Sequence, residues 1–350
     1  MYRNSNLDLI KKTFLNKKIL ITGNTGFKGV WLSKFLEQYT SKIYGISYNQ
    51  NFKNYKLFNK IKKYLGVKNY NINICNPKKL SLIIKNIQPD YLIHFAAQSL
   101  VLKSWSNPNL NFNNNVVGSI NIIKSIKKIK SIKKVLLVTT DKVYLNETKN
   151  KKFKESDPLG GNDPYSLSKT ISDLIFQYYI KFIIKKKIDF YIIRSGNIYG
   201  GGDFAENRLI PDYYKSKKKF IIRNYKSTRP YQFILDVIFS YLLIMTKKIK
   251  NPLINVGPDN SMHTLKIIRK FNSIHKKKKI LVVKKRKTNL EKKFLSLSTS
   301  KFKKLFKWKS QIKLLETIKM TDLIYSNFHR SGKYINSIMK KQIQLYINKQ

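Results

Sequence analysis

Short apolar segments alternate with amphipathic helices over the first 200 residues, and this alternation constrains the fold more than any other feature. Lys18–Thr22 (KILIT), Lys42–Ser47, Tyr70–Ile74, Tyr91–Phe95 (YLIHF), Val135–Thr139 (VLLVT) and Phe190–Arg194 (FYIIR) read as strands. Between them, Lys28–Tyr39, Pro77–Asn86, Asn113–Lys128 and Tyr165–Ile184 carry apolar residues at helical spacing. Continuously apolar strands need cover on both faces, and helical connections return each strand parallel to the last. The expectation is an α/β fold with a doubly wound parallel sheet. Residues 1–16 read as a polar lead-in. After about residue 200 the pattern turns irregular, which suggests a smaller C-terminal substrate lobe. The expected boundaries are 1–199 for the sheet domain and 200–350 for the lobe, with 229–257 packing back on the sheet.

Gly23-Asn24-Thr25-Gly26-Phe27-Lys28-Gly29 falls between the first strand and the first helix. Glycines at this spacing let the backbone turn sharply and approach a pyrophosphate at a helix N-terminus. An acidic partner for a ribose hydroxyl is missing: Asn49 follows the second strand, and Asn73 with Ile74 ends the third. An amide oxygen can still accept a hydrogen bond. No arginine stands near either strand end, which favours NAD over NADP.

Tyr165-Ser166-Leu167-Ser168-Lys169 opens the helix after the fifth strand, and the i, i+4 spacing puts both functional groups on one face. A lysine ammonium lowers a neighbouring phenol's pKa, so the tyrosine can take a proton from a substrate hydroxyl. Thr139-Thr140-Asp141-Lys142 stands at the end of the fifth strand, the ligand edge of such a sheet.

The net charge is +53, from 71 basic and 18 acidic residues. That invites a nucleic-acid reading. The basic residues argue against it, being 63 lysines and only eight arginines. Arginine is the residue of bidentate base and phosphate recognition. A solvated lysine surface is the simpler expectation. Arg194, Arg208, Arg223 and Arg229 fall close together, and such forks suit the diphosphate of a nucleotide-sugar. Pairing with Asp203, Glu206 or Asp212 is the alternative. One cysteine, Cys75, excludes an internal disulfide, and four scattered histidines make a metal centre unexpected. His94 and Trp31 read as core residues, and Trp105 as packing. No apolar stretch is long enough to span a bilayer, and the N-terminus has no signal-like apolar core. A cytoplasmic protein is expected.

Together these motifs resemble the extended short-chain dehydrogenase/reductases, and within them the CDP-glucose 4,6-dehydratases. The resemblance rests on ILITGNTGFKGVWLS (19–33), IHFAAQSLV (93–101), NNVVGS (114–119), TTDKVY (139–144), ESDPLGGNDPYSLSK (155–169), RSGNIYGGGDFAENRLIPD (194–212), IIRNYKSTRPYQFIL (221–235) and NVGP (255–258). It implies a Rossmann-like domain and an NAD cofactor. The cofactor would be held by Gly23, Thr25, Gly26, Phe27, Lys28, Gly29, Asn73, Ile74, Ala96, Ala97, Gln98, Asn115, Tyr165 and Lys169. It implies catalysis by Thr140, Asp141, Lys142, Tyr165 and Lys169. A nucleotide-sugar would meet Asn197, Arg208, Leu209, Ile210, Arg223, Arg229 and Tyr231. It also implies a homodimer paired through Asn113–Lys128 and Tyr165–Ile184. Asn73 stands where the family has an acid, Leu102 where it has an arginine, and Phe233 and Tyr231 replace a histidine and a tryptophan. Another nucleotide-sugar dehydratase, a 4-epimerase, and a basic nucleic-acid-associated protein on a reused fold remain as alternatives.

Overall fold

In a computed structural model, the described residues are 5–48, 55–127, 129–146, 151–184, 187–222, 224–275, 279–282 and 293–350. Seven parallel strands form the central sheet: β1 (Ile19–Thr22), β2 (Ile43–Ser47), β3 (Val67–Asn71), β4 (Tyr91–His94), β5 (Lys134–Val138), β6 (Asp189–Ser195) and β7 (Leu253–Val256). Their spatial order is β7-β6-β5-β4-β1-β2-β3, so the winding reverses between β1 and β4. That reversal opens a crevice at the carboxyl ends of the strands. The architecture is the expected doubly wound sheet.

Alternate residues of each strand enter opposite cores. Ile19 and Ile21 pack with the helices Phe27–Leu36 and Ile234–Ile244, while Leu20 packs with Pro77–Ile87 and Gly118–Lys127. The helix Ile234–Ile244 is apolar apart from Asp236 and Ser240, because it is buried between the sheet and the C-terminal helices. Tyr213, Phe220, Phe271 and Ile324 of the C-terminal half belong to the same buried cluster as Val30 and Trp31. The two halves therefore share one core. Among the described residues no helix is long and apolar enough to cross a membrane.

Three readings need correction. The expected polar lead-in is a helix, Asn6–Phe14, with a Ser5/Asp8 capping box and with Ile10 and Phe14 fully buried. The third strand runs over 67–71 instead of 70–74, with Ile43 opposite Val67 and Ser47 opposite Asn71. As an edge strand it has little apolar surface, so Ile72 and Ile74 beyond it drew the expectation downstream. The expected helix Asn113–Lys128 is a π turn, Asn113–Val117, continuing as Gly118–Lys127. Lys128 lies outside the described residues.

Candidate active site

The cofactor turn is shaped by what cannot fit in it. Gly23 adopts φ +75°, and a Cβ there would lie 2.8 Å from the Ala96 nitrogen. At Gly29 a Cβ would come within 2.4 Å of the Gly23 carbonyl oxygen. The helix Phe27–Leu36 starts from Gly26 with no side-chain cap, which leaves its first N–H groups unclaimed by a capping side chain. Asn24 ties the turn down: it accepts from Ser47 Oγ at 2.8 Å and donates to Asn69 Oδ1 at 2.9 Å. Gly23, Thr25, Gly26, Phe27, Lys28 and Gly29 line a cleft of about 2150 Å³. This cradle of bare backbone, which a Cβ would fill, fits a dinucleotide pyrophosphate.

Asn73, Ile74, Ala96, Ala97 and Gln98 line the same cleft. Asn73 Oδ1 accepts from the Cys75 N–H at 2.9 Å, so the amide that replaces an acid folds onto its own loop. Asn115 does not line the cleft. It is buried beneath the loop, accepting from Gln98 N at 2.7 Å and donating to Gln98 O at 3.0 Å and Ser168 Oγ at 2.9 Å. It shapes the cleft's wall from behind. Asn49 lies outside the described residues.

The helix Pro164–Tyr178 is launched by Asp163, whose carboxylate accepts from Ser166 N, with Pro164 in the first turn. This puts Tyr165 in the first turn, where the helix dipole favours a phenolate. Tyr165 N–H donates to Ser104 Oγ at 3.1 Å. Its phenol hydrogen-bonds with Thr140 and lies under the field of Arg208, yet burial lifts its pKa to about 12. Lys169 donates to Val138 O at 3.0 Å, and burial pushes its pKa down to about 8 against the pull of Asp173. Thr140 Oγ1 donates to Asp141 Oδ1 at 3.0 Å. Asp141 is buried, and its Oδ2 has no hydrogen-bond partner among the described residues. Burial holds its carboxyl up at about 6, opposed by Lys142, Thr140 and Arg229. Thr140, Asp141, Lys142, Tyr165 and Lys169 all line the cleft.

Lys28 adds a third amine to this edge. Its Nζ stands 5.0 Å from the Phe95 ring centroid, and burial, with Lys169 and Arg208 nearby, lowers its pKa to about 7. His94 is a core residue, 2.7 Å from Thr22 Oγ1, with burial and then Lys169 lowering its pKa to about 3.

Asn197, Arg208, Leu209, Ile210, Arg229 and Tyr231 line the opposite rim. Arg208 pairs with Asp203 at 3.0 Å and also reaches Ser99 Oγ at 2.9 Å on the cofactor side. Arg229 is buried and donates to the carbonyl of Thr228. Tyr231 hydroxyl lies 2.9 Å from Thr264 Oγ1. Arg223 lies outside the described residues. Arg194 leaves the arginine group: it is buried and paired with Asp173 at 2.8 Å, away from the rim. Trp31 packs as expected and donates to Gly201 O, whereas Trp105 stands half-exposed. Ser99, Ser104, Asn111 and Asp173 went unrecognised in the sequence. None sits in a motif with chemistry of its own, and each acts through a partner at least 21 residues away.

The profile of the GDP-mannose 4,6 dehydratase family matches residues 20–321. The chain belongs to this family. It stands among the nucleotide-sugar dehydratases and epimerases of the extended short-chain dehydrogenase/reductases. One relative is the CDP-glucose 4,6-dehydratase of Salmonella typhimurium, 30% identical over 251 residues, which are 67% of this chain and 68% of that protein. Among solved structures, the epimerase Mth375 of Methanothermobacter thermautotrophicus superposes with a TM-score of 0.81 at 19% identity, over 93% of this chain and 96% of that one. The dTDP-glucose 4,6-dehydratase of Bacillus anthracis, in complex with NAD, gives 0.72 at 22% identity, over 89% and 97%. At these identities the two structures establish a shared fold.

Proposed function

We propose that the chain converts CDP-glucose to CDP-4-keto-6-deoxyglucose with loss of water, using a retained NAD, for deoxysugar and surface-polysaccharide synthesis. Asp141 carries this reading. A carboxyl that is buried, open on one oxygen and held up at about 6 is suited to give a proton to a leaving hydroxyl. A 4-epimerase needs the Tyr165/Lys169 pair but no such acid beside it.

Each residue has a task. Tyr165 takes the proton of the C4 hydroxyl, and the Lys169 ammonium steadies the phenolate. Thr140 hydrogen-bonds the same hydroxyl. The C4 ketone acidifies the C5 proton, which Lys142 accepts. Asp141 protonates the C6 hydroxyl, and water leaves. NAD bound on the glycine cradle would accept the C4 hydride and return it to C6, while Lys142 gives its proton back to C5. Arg208 and Arg229, which line the cleft, would meet the nucleotide diphosphate in this reading.

The chain also works as a homodimer in this reading. Leu167, Leu174, Tyr178 and Phe182 form an exposed apolar strip on one helical face, and a second copy would cover it. Leu174→Lys should shift micromolar protein from dimer to monomer in light scattering.

The deciding experiment incubates the protein and NAD with CDP-, dTDP-, UDP- and GDP-glucose and reads product mass. Loss of one water from CDP-glucose in preference to the others is expected. Loss of water from another nucleotide reassigns the substrate, and an unchanged mass with inverted C4 makes it an epimerase. No turnover, with tight salt-dependent binding to DNA or RNA, would favour the nucleic-acid reading.

A further inference from the structure

Asp173 sits one helical turn beyond Lys169 and two beyond Tyr165, on the face they share. It is fully buried. Arg194 grips it with two prongs, Nη2 to Oδ1 at 2.8 Å and Nε to Oδ2 at 3.0 Å. Thr139 Oγ1 donates to Oδ2 at 2.9 Å, and Gln177 Nε2 to Oδ1 at 2.7 Å. Arg194 Nη1 donates to the Tyr144 hydroxyl at 3.1 Å and the Glu155 carbonyl at 3.0 Å.

This network ties together four pieces of the active edge. Thr139 ends the strand segment that carries Thr140. Tyr144 closes the 3-10 turn Asp141–Val143. Arg194 comes from β6, and Asp173 from the catalytic helix. A buried ion pair is a poor way to gain stability alone, since apolar residues of the same volume hold a fold as well. Its place beneath the catalytic amine gives it another use.

The groups facing Lys169 can be named element by element. Its own helix offers Tyr165 and Asp173, the cofactor turn offers Lys28, and β4 offers His94. Asp141 stands on the turn after β5, and Arg194 lies behind Asp173 on β6. Lys28 repels an ammonium, His94 is neutral, and Asp141 is the group proposed to be protonated. The anion left is Asp173, and it opposes the burial that strips Lys169 of its proton.

We propose that Asp173 is a positioning residue: clasped by Arg194, its carboxylate is the counter-charge of the Lys169 ammonium and fixes Thr140 and Tyr165 in one register. The proposal rests on the dehydratase reading for what Lys169 does. It concerns a residue outside the glycine turn, the Tyr-x-x-x-Lys pair and the Thr-Asp-Lys triplet.

The test uses Asp173→Asn, Asp173→Glu and the double variant Asp173→Asn/Arg194→Gln. Two quantities are followed against pH in the full-length protein. One is the acetylation rate of Lys169 by acetic anhydride, read on its own peptide by mass spectrometry. The other is kcat/KM with CDP-glucose and NAD. Loss of the carboxylate should lower the Lys169 pKa, so the amine is acetylated at lower pH and the alkaline limb of the profile falls earlier. Both should move down by about one pH unit in Asp173→Asn. The double variant should move the same way by less, and Asp173→Glu should stay near wild type. If Asp173→Asn does not fold, the double variant carries the test, because it leaves no lone charge buried. A folded variant without the carboxylate that keeps the wild-type Lys169 titration would overturn the proposal. If the wild-type protein turns over no nucleotide-glucose, the functional reading fails, while the acetylation titration still decides the role of Asp173.

Discussion

The turn Gly23–Gly29 is packed backbone against backbone, pinned by Asn24 and with no room for an added Cβ at Gly23 or Gly29, whereas the loop Asp203–Arg208 across the cleft is held by polar side-chain contacts. In the first, backbone stands against backbone, and a Cβ at Gly29 has no room within 2.4 Å. In the second, Arg208 bridges the Asp203 carboxylate and the Ser99 hydroxyl, which belongs to the cofactor wall. Tyr325 hydroxyl closes on the Asp203 carbonyl from the helix Leu314–Asn327. A steric cradle rejects any added atom. A polar lattice gives up one bond at a time and keeps its outline. The catalytic edge lies between them and combines both traits, with buried charge on a strand end and a helix start.

The sharpest break should come at that edge. Tyr165→Phe is expected to lose ~10²–10⁴-fold in turnover, with reduction of the bound cofactor lost as well, while NAD affinity measured by calorimetry stays near wild type. Lys142→Met should instead still reduce NAD with CDP-glucose but lose solvent-deuterium exchange at C5. Wild-type exchange in Lys142→Met would hand the base role to another group.

Next comes the steric side. Gly29→Ala should weaken NAD binding by ~10²-fold, because the helix must move by a fraction of an ångström to admit the methyl group. Calorimetric affinity within a few-fold of wild type would mean that the cradle yields and the contrast is false.

Asp141 tests the energetic cost of the edge. Its folded-state pKa of about 6 lies above the ordinary 3.8, so burial penalises the ionised form. Stability is lost as pH rises through that interval, and the whole cost is present above it. Asp141→Asn should therefore raise unfolding free energy at pH 8 by ~1–3 kcal/mol and leave it nearly unchanged at pH 3.5, while turnover falls. Urea titrations at the two pH values check the sign.

The smallest effect belongs to the polar rim. Ser99→Ala removes one neutral partner of Arg208 and should change the KM for CDP-glucose by less than ~10-fold, with NAD affinity unaltered. A larger loss than in Gly29→Ala would reverse the comparison.

What the sequence determined by itself was whatever rests on local rules. Helix spacing put Tyr165 and Lys169 on one face, apolar runs marked the strands of a doubly wound sheet, and three glycines after β1 marked the cradle. The Ser5/Asp8 capping box of the first helix is equally local, but the polar residues around it mask the buried Ile10 and Phe14. Tertiary structure decided the rest. Whether Arg194 met a ligand or Asp173 depended on two elements 21 residues apart in sequence coming face to face. Whether Asn115 touched the cofactor or held up its wall depended on where Gln98 lies above it. Whether Asp141 was an ordinary carboxylate or one held at about 6 depended on burial, which is set by every element that closes the cleft. Spacing along a chain fixes direction on a helix or strand, because backbone geometry repeats. Partners and desolvation come from distant segments, and no local pattern encodes them.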